Sequence, residues 1–307
     1  MGCNRSSQHK CIYMGRLFPG KMSDACITPA RYNPIMKPAQ TRARLGPYSG
    51  PGLFVTGTGT DVGKTIVMAS LAAAFRRLHL RVGILKPIAS GCPKMPHRGN
   101  DPSKVSHEDL LSPDVILAAG AAGLDPSDEV LMRYMSPLRY AVPAAPVVAA
   151  RVEGRPIDWQ RVETALDWWQ ENCEVLLVEG AGGWYVPIDE DDFMMGDLAA
   201  ALRLPVVVVT FAGLGAINAT LLTVHAIQER SLPVAGLVFN RVPGVEMRDL
   251  ATETNLVEIP RLSGVPLRAA LPDLGQDRIT SAVPEDFVEA MMPFAQEWWS
   301  HAQRQNL

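Results

Sequence analysis

The sequence predicts an α/β fold of the doubly wound kind, with a mostly parallel sheet covered by helices on both faces. Three observations predict it. Short runs rich in Val, Ile and Leu recur from Leu53 onward, each followed by a stretch of helical composition. The runs are nearly continuous in apolar residues instead of alternating, as strands buried on both faces must be. Hydrophobic residues make up 47% of the 307-residue chain and charged residues 20%, which is enough to bury a large single core.

In order, "LFVTGT" (53–58) is the first strand, and "KTIVMASLAAAFRRLHL" (64–80) the helix after it. "RVGILKPIAS" (81–90) holds the second strand, which "KPIASG" follows. A long polar link follows, then "SPDVILAAG" (112–120), a helix start with Ser112 as a plausible cap. "EVLLVEGAGG" (174–183), "LPVVVVTFAG" (204–213), "VAGLVFNRV" (234–242) and "VPLRAALP" (265–272) complete the strands. No internal repeat interrupts the series, so residues 51–307 read as one domain.

Residues 1–50 differ. They hold eight Lys/Arg and one acid (Asp24), with frequent Pro and Gly and no periodicity, and read as a disordered basic extension. A start codon called too early, an organelle transit peptide and a genuine extension all fit this composition. "MGCNRS" matches an N-acylation pattern short enough to arise by chance. The remaining 21 basic and 31 acidic residues give the body a charge of about −10, which excludes nucleic-acid binding through a broad positive field. No apolar run approaches the roughly 18–20 residues needed to span a bilayer. Cys3, Cys11, Cys26, Cys92 and Cys173 form no C-x-x-C pair, which suits reduced thiols and a cytoplasmic location. The six histidines are also scattered; His97 and His107, in the polar link, read as solvated loop residues.

The first chemistry-bearing motif is "GTGTDVGKT" (57–65), between a strand and a helix. It is one residue longer than G-x-x-x-x-G-K-[ST], but the strand–turn–helix context is that of a phosphate-binding loop. Glycines let backbone amides close around phosphate oxygens, and the helix N-terminus adds positive potential. Lys64 then reaches the outer phosphates, and the Thr65 hydroxyl is a ligand for Mg2+. The fold narrows to the P-loop NTPase type, although such loops also serve switches and motors.

Two further strand ends add to it. "KPIASG" sets Lys86 at the carboxyl edge, where a lysine can neutralise charge on a transferring phosphoryl group; a surface lysine is the plain alternative. "VLLVEGAGGWYVP" delivers Glu179 to a strand end, where a carboxylate can hold Mg2+, and Gly180, Gly182 and Gly183 permit close backbone approach. Trp184 either walls the site or belongs to the core.

"GTGTDVGKT", "KPIASG" and "VEGAGGW", with "EGRPID", "LPVVVV", "GLGAIN" and "VFNRV", make the chain resemble the dethiobiotin synthetases from about Leu53 to Leu274. The resemblance implies that diaminopelargonate takes up CO2 as a carbamate, that ATP phosphorylates the carbamate, and that the second amine closes the ureido ring. It implies Lys86 and Lys64 as catalytic lysines, and Thr60 and Ser90 as contacts to the diamine. Asp61, Val62, Gly63, Lys64, Thr65 and Ile66 would line the phosphates, with Glu179, Gly180, Ala181 and Gly182 across from them. Asn240 and Arg241, with Leu271, Pro272 and Asp273, would read the adenine. Thr65, Glu179 and an Asp at a helix start would hold Mg2+; Asp114 fits best and Asp109 competes. A homodimer is implied too, with the diamine's tail at the helix start carrying Gly215 and Asn218; an ordinary strand-to-helix turn is the plain alternative.

Two rivals stay open at this stage. A cobyrinate-type amide-forming ligase would keep the loop but give Thr60, Lys86 and Ser90 no diamine to bind. A partition-type ATPase would carry an extra lysine early in the loop, and Gly57 to Val62 contain none.

Overall fold

The structure, a computed structural model, describes residues 45–95, 106–247, 249–273 and 282–305. All of them belong to the larger of the two units into which the chain divides, residues 41–307.

Six parallel strands form the main sheet: β1 (Gly52–Gly57), β2 (Val82–Leu85), β5 (Val175–Glu179), β6 (Val206–Phe211), β7 (Val234–Val242) and β8 (Leu267–Pro272), in the order β2-β5-β1-β6-β7-β8. They are the six expected runs. Because successive side chains of a strand alternate in direction, the apolar runs feed two cores. On one face Leu53, Val55, Ile84, Leu177, Val207 and Val209 pack with helix α1 (Lys64–Arg77) and the last helix, α9 (Glu285–Gln305). On the other, Phe54, Leu85, Val178, Val208 and Phe239 pack with α5 (Trp159–Asn172), α6 (Met195–Leu202) and α7 (Ala216–Glu229). Helix α8 (Leu250–Ser263) lies beside α7.

The second strand ends at Leu85 and "KPIASG" follows it, since Pro87 has no N–H to continue a ladder. The chain then starts a separate two-stranded sheet, β3 (Ile88–Ala89) with β4 (Leu138–Arg139), and the Lys86 N–H donates to Met135 O at 2.7 Å. Two expectations are corrected, of which the domain boundary is the first. Leu45 is 3% exposed and packs in the core, the Tyr48 N–H donates to Leu202 O at 3.1 Å, and the Tyr48 hydroxyl reaches Trp169 O. Residues 45–50 are thus part of the folded body; the rest of the expected extension, residues 1–44, lies outside the described residues. Finally, Ser112 precedes helix α2 (Pro113–Ala122) but its hydroxyl makes no cap; its Oγ is buried without a hydrogen bond.

Candidate active site

Strand register sets the frame. Val55 of β1 lies opposite Glu179 of β5, and Leu85 of β2 lies opposite Val178. One residue on from Leu85, Lys86 therefore stands beside Glu179 at the carboxyl edge, next to the point where the phosphate loop leaves β1.

Four side chains from four elements close into one network there. The Lys86 ammonium donates to Glu179 Oε1 at 2.6 Å and to Asp114 Oδ2 at 2.6 Å. The Thr65 hydroxyl donates to the same Glu179 oxygen at 3.0 Å. Lys86 and Glu179 are 4% and 1% exposed, whereas Asp114 opens to solvent. Burial pushes the Lys86 ammonium down, but Glu179 and Asp114 outweigh it and hold the ammonium above its usual range. For Asp114 burial is likewise overcome, by Lys86, and its carboxyl ends below the usual range. Burial pushes Glu179 up while Lys86 pulls it down; the direct contact to Lys86 makes the charged pair the form that this geometry holds.

The loop is braced from below. Lys64 Nζ donates to Gly59 O at 2.9 Å, curling over the loop, and burial pushes its ammonium down. Gly63 has φ +96°, and a β-carbon there would come within 1.9 Å of Asn240 Nδ2, so this position requires glycine twice over. Asn240 is 4% exposed and its Nδ2 donates to Val62 O at 3.1 Å. The Thr58 hydroxyl meets Thr210 Oγ1 at 3.3 Å, and Thr210 meets Thr220 on α7 at 2.9 Å, linking loop to helix. Asn255 on α8 donates from Nδ2 to Ala212 O at 2.6 Å and Gly213 O at 2.9 Å, holding the turn that opens α7.

The other expected site residues fall around this centre. Thr60 is exposed at the loop tip, and the Gly180-Ala181-Gly182 turn lies against it: a β-carbon on Gly182 would sit 3.7 Å from the Thr60 hydroxyl. Asp61 adopts φ 58°, a left-handed conformation unusual outside glycine. Ser90 follows β3, half-buried. Arg241 is exposed next to Asn240, and the Asp273 N–H donates to Val242 O at 2.9 Å, so the ends of β7 and β8 are brought together. The side chains of Ile66 and Leu271 point into the core, leaving only their backbone to face a ligand. Gly215 and Asn218 stand apart from the network, lining an apolar groove of about 1050 Å³ between α7 and α8.

Asp109 does not compete with Asp114 for the network; it accepts from the N–H and hydroxyl of Ser106 at 2.8 and 2.7 Å. His97 lies outside the described residues. His107 corrects the expectation of a solvated residue: it is 8% exposed, and its Nδ1 accepts from Arg139 N–H and Arg155 Nη1. Trp184 is core, 3% exposed. Asn255 and Thr210 were missed from the sequence; a Thr closing "VVVV" is the only visible sign, since neither sits in a motif.

Among the described residues no three His, Cys, Asp or Glu cluster as a metal site. A hydroxyl with two carboxylates is a different, hard donor set suited to Mg2+. One observation fits it to a cation: Glu179 Oε2 is buried with no hydrogen-bond partner.

A glycine-rich loop opening a helix, a lysine and a carboxylate on the adjoining strand ends, and a parallel sheet beneath them define a P-loop nucleotide-dependent protein. A family model described as an AAA domain matches residues 51–277. ATP-dependent dethiobiotin synthetase BioD of Anaeromyxobacter dehalogenans is 39% identical over 221 residues, covering 72% of this chain and 89% of its own. The enzyme of the same name from Parafrankia is 41% identical over 221 residues, covering 72% and 83%. Among solved structures, cobyrinic acid a,c-diamide synthase from Mycobacterium smegmatis aligns over 83% of this chain and 96% of its own, at 15% identity and a TM-score of 0.45. The chain belongs to the ATP-dependent dethiobiotin synthetase family.

Proposed function

We propose that this chain forms dethiobiotin from diaminopelargonate, CO2 and ATP, as an ATP-dependent ligase of biotin biosynthesis, with the network just described as its catalytic centre. The observation that carries the assignment of roles is the convergence of Thr65, Lys86, Asp114 and Glu179 on one point beside the phosphate loop.

A carbamate is a weak and short-lived nucleophile, so the chain must hold it in line with the terminal phosphate of ATP. Thr60 and Ser90 flank that position and hold the diamine. Lys64 lies over the loop and offsets charge on the phosphate oxygens as the phosphoryl group transfers; Lys86 does the same from the second strand. The buried setting strengthens both contributions, since little water screens them. Thr65, Asp114 and Glu179 would hold Mg2+, which when bound supplies charge neutralisation between phosphate oxygens. The second amine then attacks the carbonyl carbon of the phosphorylated carbamate, and phosphate leaves as the ring closes.

Asn240, Arg241, Pro272 and Asp273 form the proposed base-reading edge, with the backbone of Leu271. Asp61 through Ile66 supply loop amides, and Glu179 to Gly182 the facing wall. At the other end of the substrate, the backbone N–H groups at Gly215 and Asn218 would bind the diamine's carboxylate. We assign this helix start to the interface of a homodimer; exposed Leu214, Leu222 and Leu250, at 87%, 62% and 75%, support an apolar contact there. The body charge of about −10 supports a small-molecule enzyme over a nucleic-acid binder, and the free thiols Cys92 and Cys173 suit the cytoplasm. Residues 1–44 take no part in the site on this reading.

Incubation with diaminopelargonate, bicarbonate and Mg-ATP, with mass detection of dethiobiotin, tests the function. ADP release that requires both diamine and bicarbonate supports it, and hydrolysis indifferent to the diamine rejects it.

A further inference from the structure

Lys86 stands in an unusual relation to the two carboxylates assigned to Mg2+. Its ammonium touches both at 2.6 Å, and Glu179 Oε1 carries Lys86 and Thr65 together. The cationic position between the carboxylates is therefore filled by the chain itself. A dication bound to the same oxygens would face the ammonium at contact distance, and like charges so close in a buried site repel strongly. Lys64 is not part of this conflict, because its ammonium is drawn off to Gly59 O.

Resting on the Mg2+ assignment above, we propose that Lys86 is the internal counter-cation of Asp114 and Glu179, and that Lys86 and the divalent metal exclude one another from these carboxylates. The backbone of Lys86 is fixed by its N–H bond to Met135 O, but its four-carbon stem rotates freely enough to move the ammonium alone. Metal arriving with nucleotide phosphates displaces the ammonium, and the displaced charge turns to the phosphate loop, where the reaction uses it. Metal without nucleotide has no phosphate to receive the lysine and must compete with it unaided.

The test uses the full chain without nucleotide and Mn2+ as the probe, with binding followed by the electron paramagnetic resonance of free Mn2+. Lys86→Met should bind Mn2+ at least roughly tenfold more tightly than the wild type, while Lys86→Arg stays weak. Mn2+ should raise the melting temperature of Lys86→Met and leave that of the wild type nearly unchanged. A cooperatively folded Lys86→Met that binds Mn2+ no better than the wild type overturns the proposal. Should Lys86→Met not fold, Lys86→Gln takes its place. The wild type also supplies a measurement: the slowed ammonium proton exchange of 15N-labelled Lys86 should be lost on adding Mg2+ with a non-hydrolysable ATP analogue. Persistence of that slow exchange equally overturns the proposal. Mn-ATP binding to Glu179→Gln separates the two levels of the argument. If it is unimpaired, the metal assignment itself falls; if it is weakened while Lys86→Met gains nothing, only the exchange does.

Discussion

Replacing Asn255 with Leu tests how the α7 turn is held. Asn255 is 4% exposed and donates to Ala212 O and Gly213 O at 2.6 and 2.9 Å. Leu has a similar volume and no donor. Each lost hydrogen bond is worth about 1 kcal/mol net, and a buried carbonyl left without a partner costs about 1 kcal/mol more, giving about 3 kcal/mol in all. For a body of this size that lowers the melting temperature by roughly 6–12 °C. The same loss frees the turn that opens α7, where the substrate carboxylate is proposed to bind. The Michaelis constant for the diamine should then rise by about tenfold, a loss of about 1.4 kcal/mol of binding. That for ATP should stay within about twofold, because the phosphate loop keeps its bonds to Thr210 and to Val209 O. Thermal unfolding followed by circular dichroism, with steady-state kinetics in each substrate, measures both effects. An unchanged melting temperature would refute the energetic argument. Equal rises in both Michaelis constants would refute the local one.

Lys86→Ala should reduce turnover at least about a hundredfold, or roughly 3 kcal/mol in the transition state, by steady-state assay. Because Glu179 would be left buried without its cation, the variant should also lose about 3 kcal/mol of stability in denaturant titrations, which the sequence alone did not foretell. Thr65→Val keeps the shape but not the hydroxyl, and should raise the Mg2+ concentration needed for half-maximal rate. Leu45→Ala should cost about 2 kcal/mol by thermal unfolding, whereas removal of residues 1–44 should change stability and turnover little. His107 is held at about 4 by burial, then by the charges of Arg155 and Arg161, so the folded state keeps it neutral where the unfolded chain takes up a proton. The His107 contribution to stability is thus complete above about pH 6.5 and lost progressively as pH falls toward 4; His107→Gln should flatten melting temperature over that window.

The six strands and the phosphate loop could be read from the chain because their causes are local. A short β-branched run such as "PVVVVT" favours a strand buried on both faces, and Gly57 to Thr65 form the loop through the backbone freedom of their own glycines. Lys86 and Glu179 could also be identified as strand-end residues, since strand ends follow from where an apolar run stops. Their contact could not. It depends on β2 and β5 pairing in parallel with Leu85 opposite Val178, a register fixed by two cores that gather residues from Leu45 to Trp299. Pro87, with no N–H to offer a ladder, is a local mark of the end of β2 at Leu85. His107 looked solvated in its polar link, yet Arg139 and Arg155, 32 and 48 residues away, close over it. Asn255 carries no local mark at all: its value lies in two carbonyls more than 40 residues away. Local pattern determined which residues could bear charge at a strand end. Only the tertiary structure decided which of those charges meet, because an ion pair or a buried hydrogen bond is a property of distance in space and not of distance along the chain.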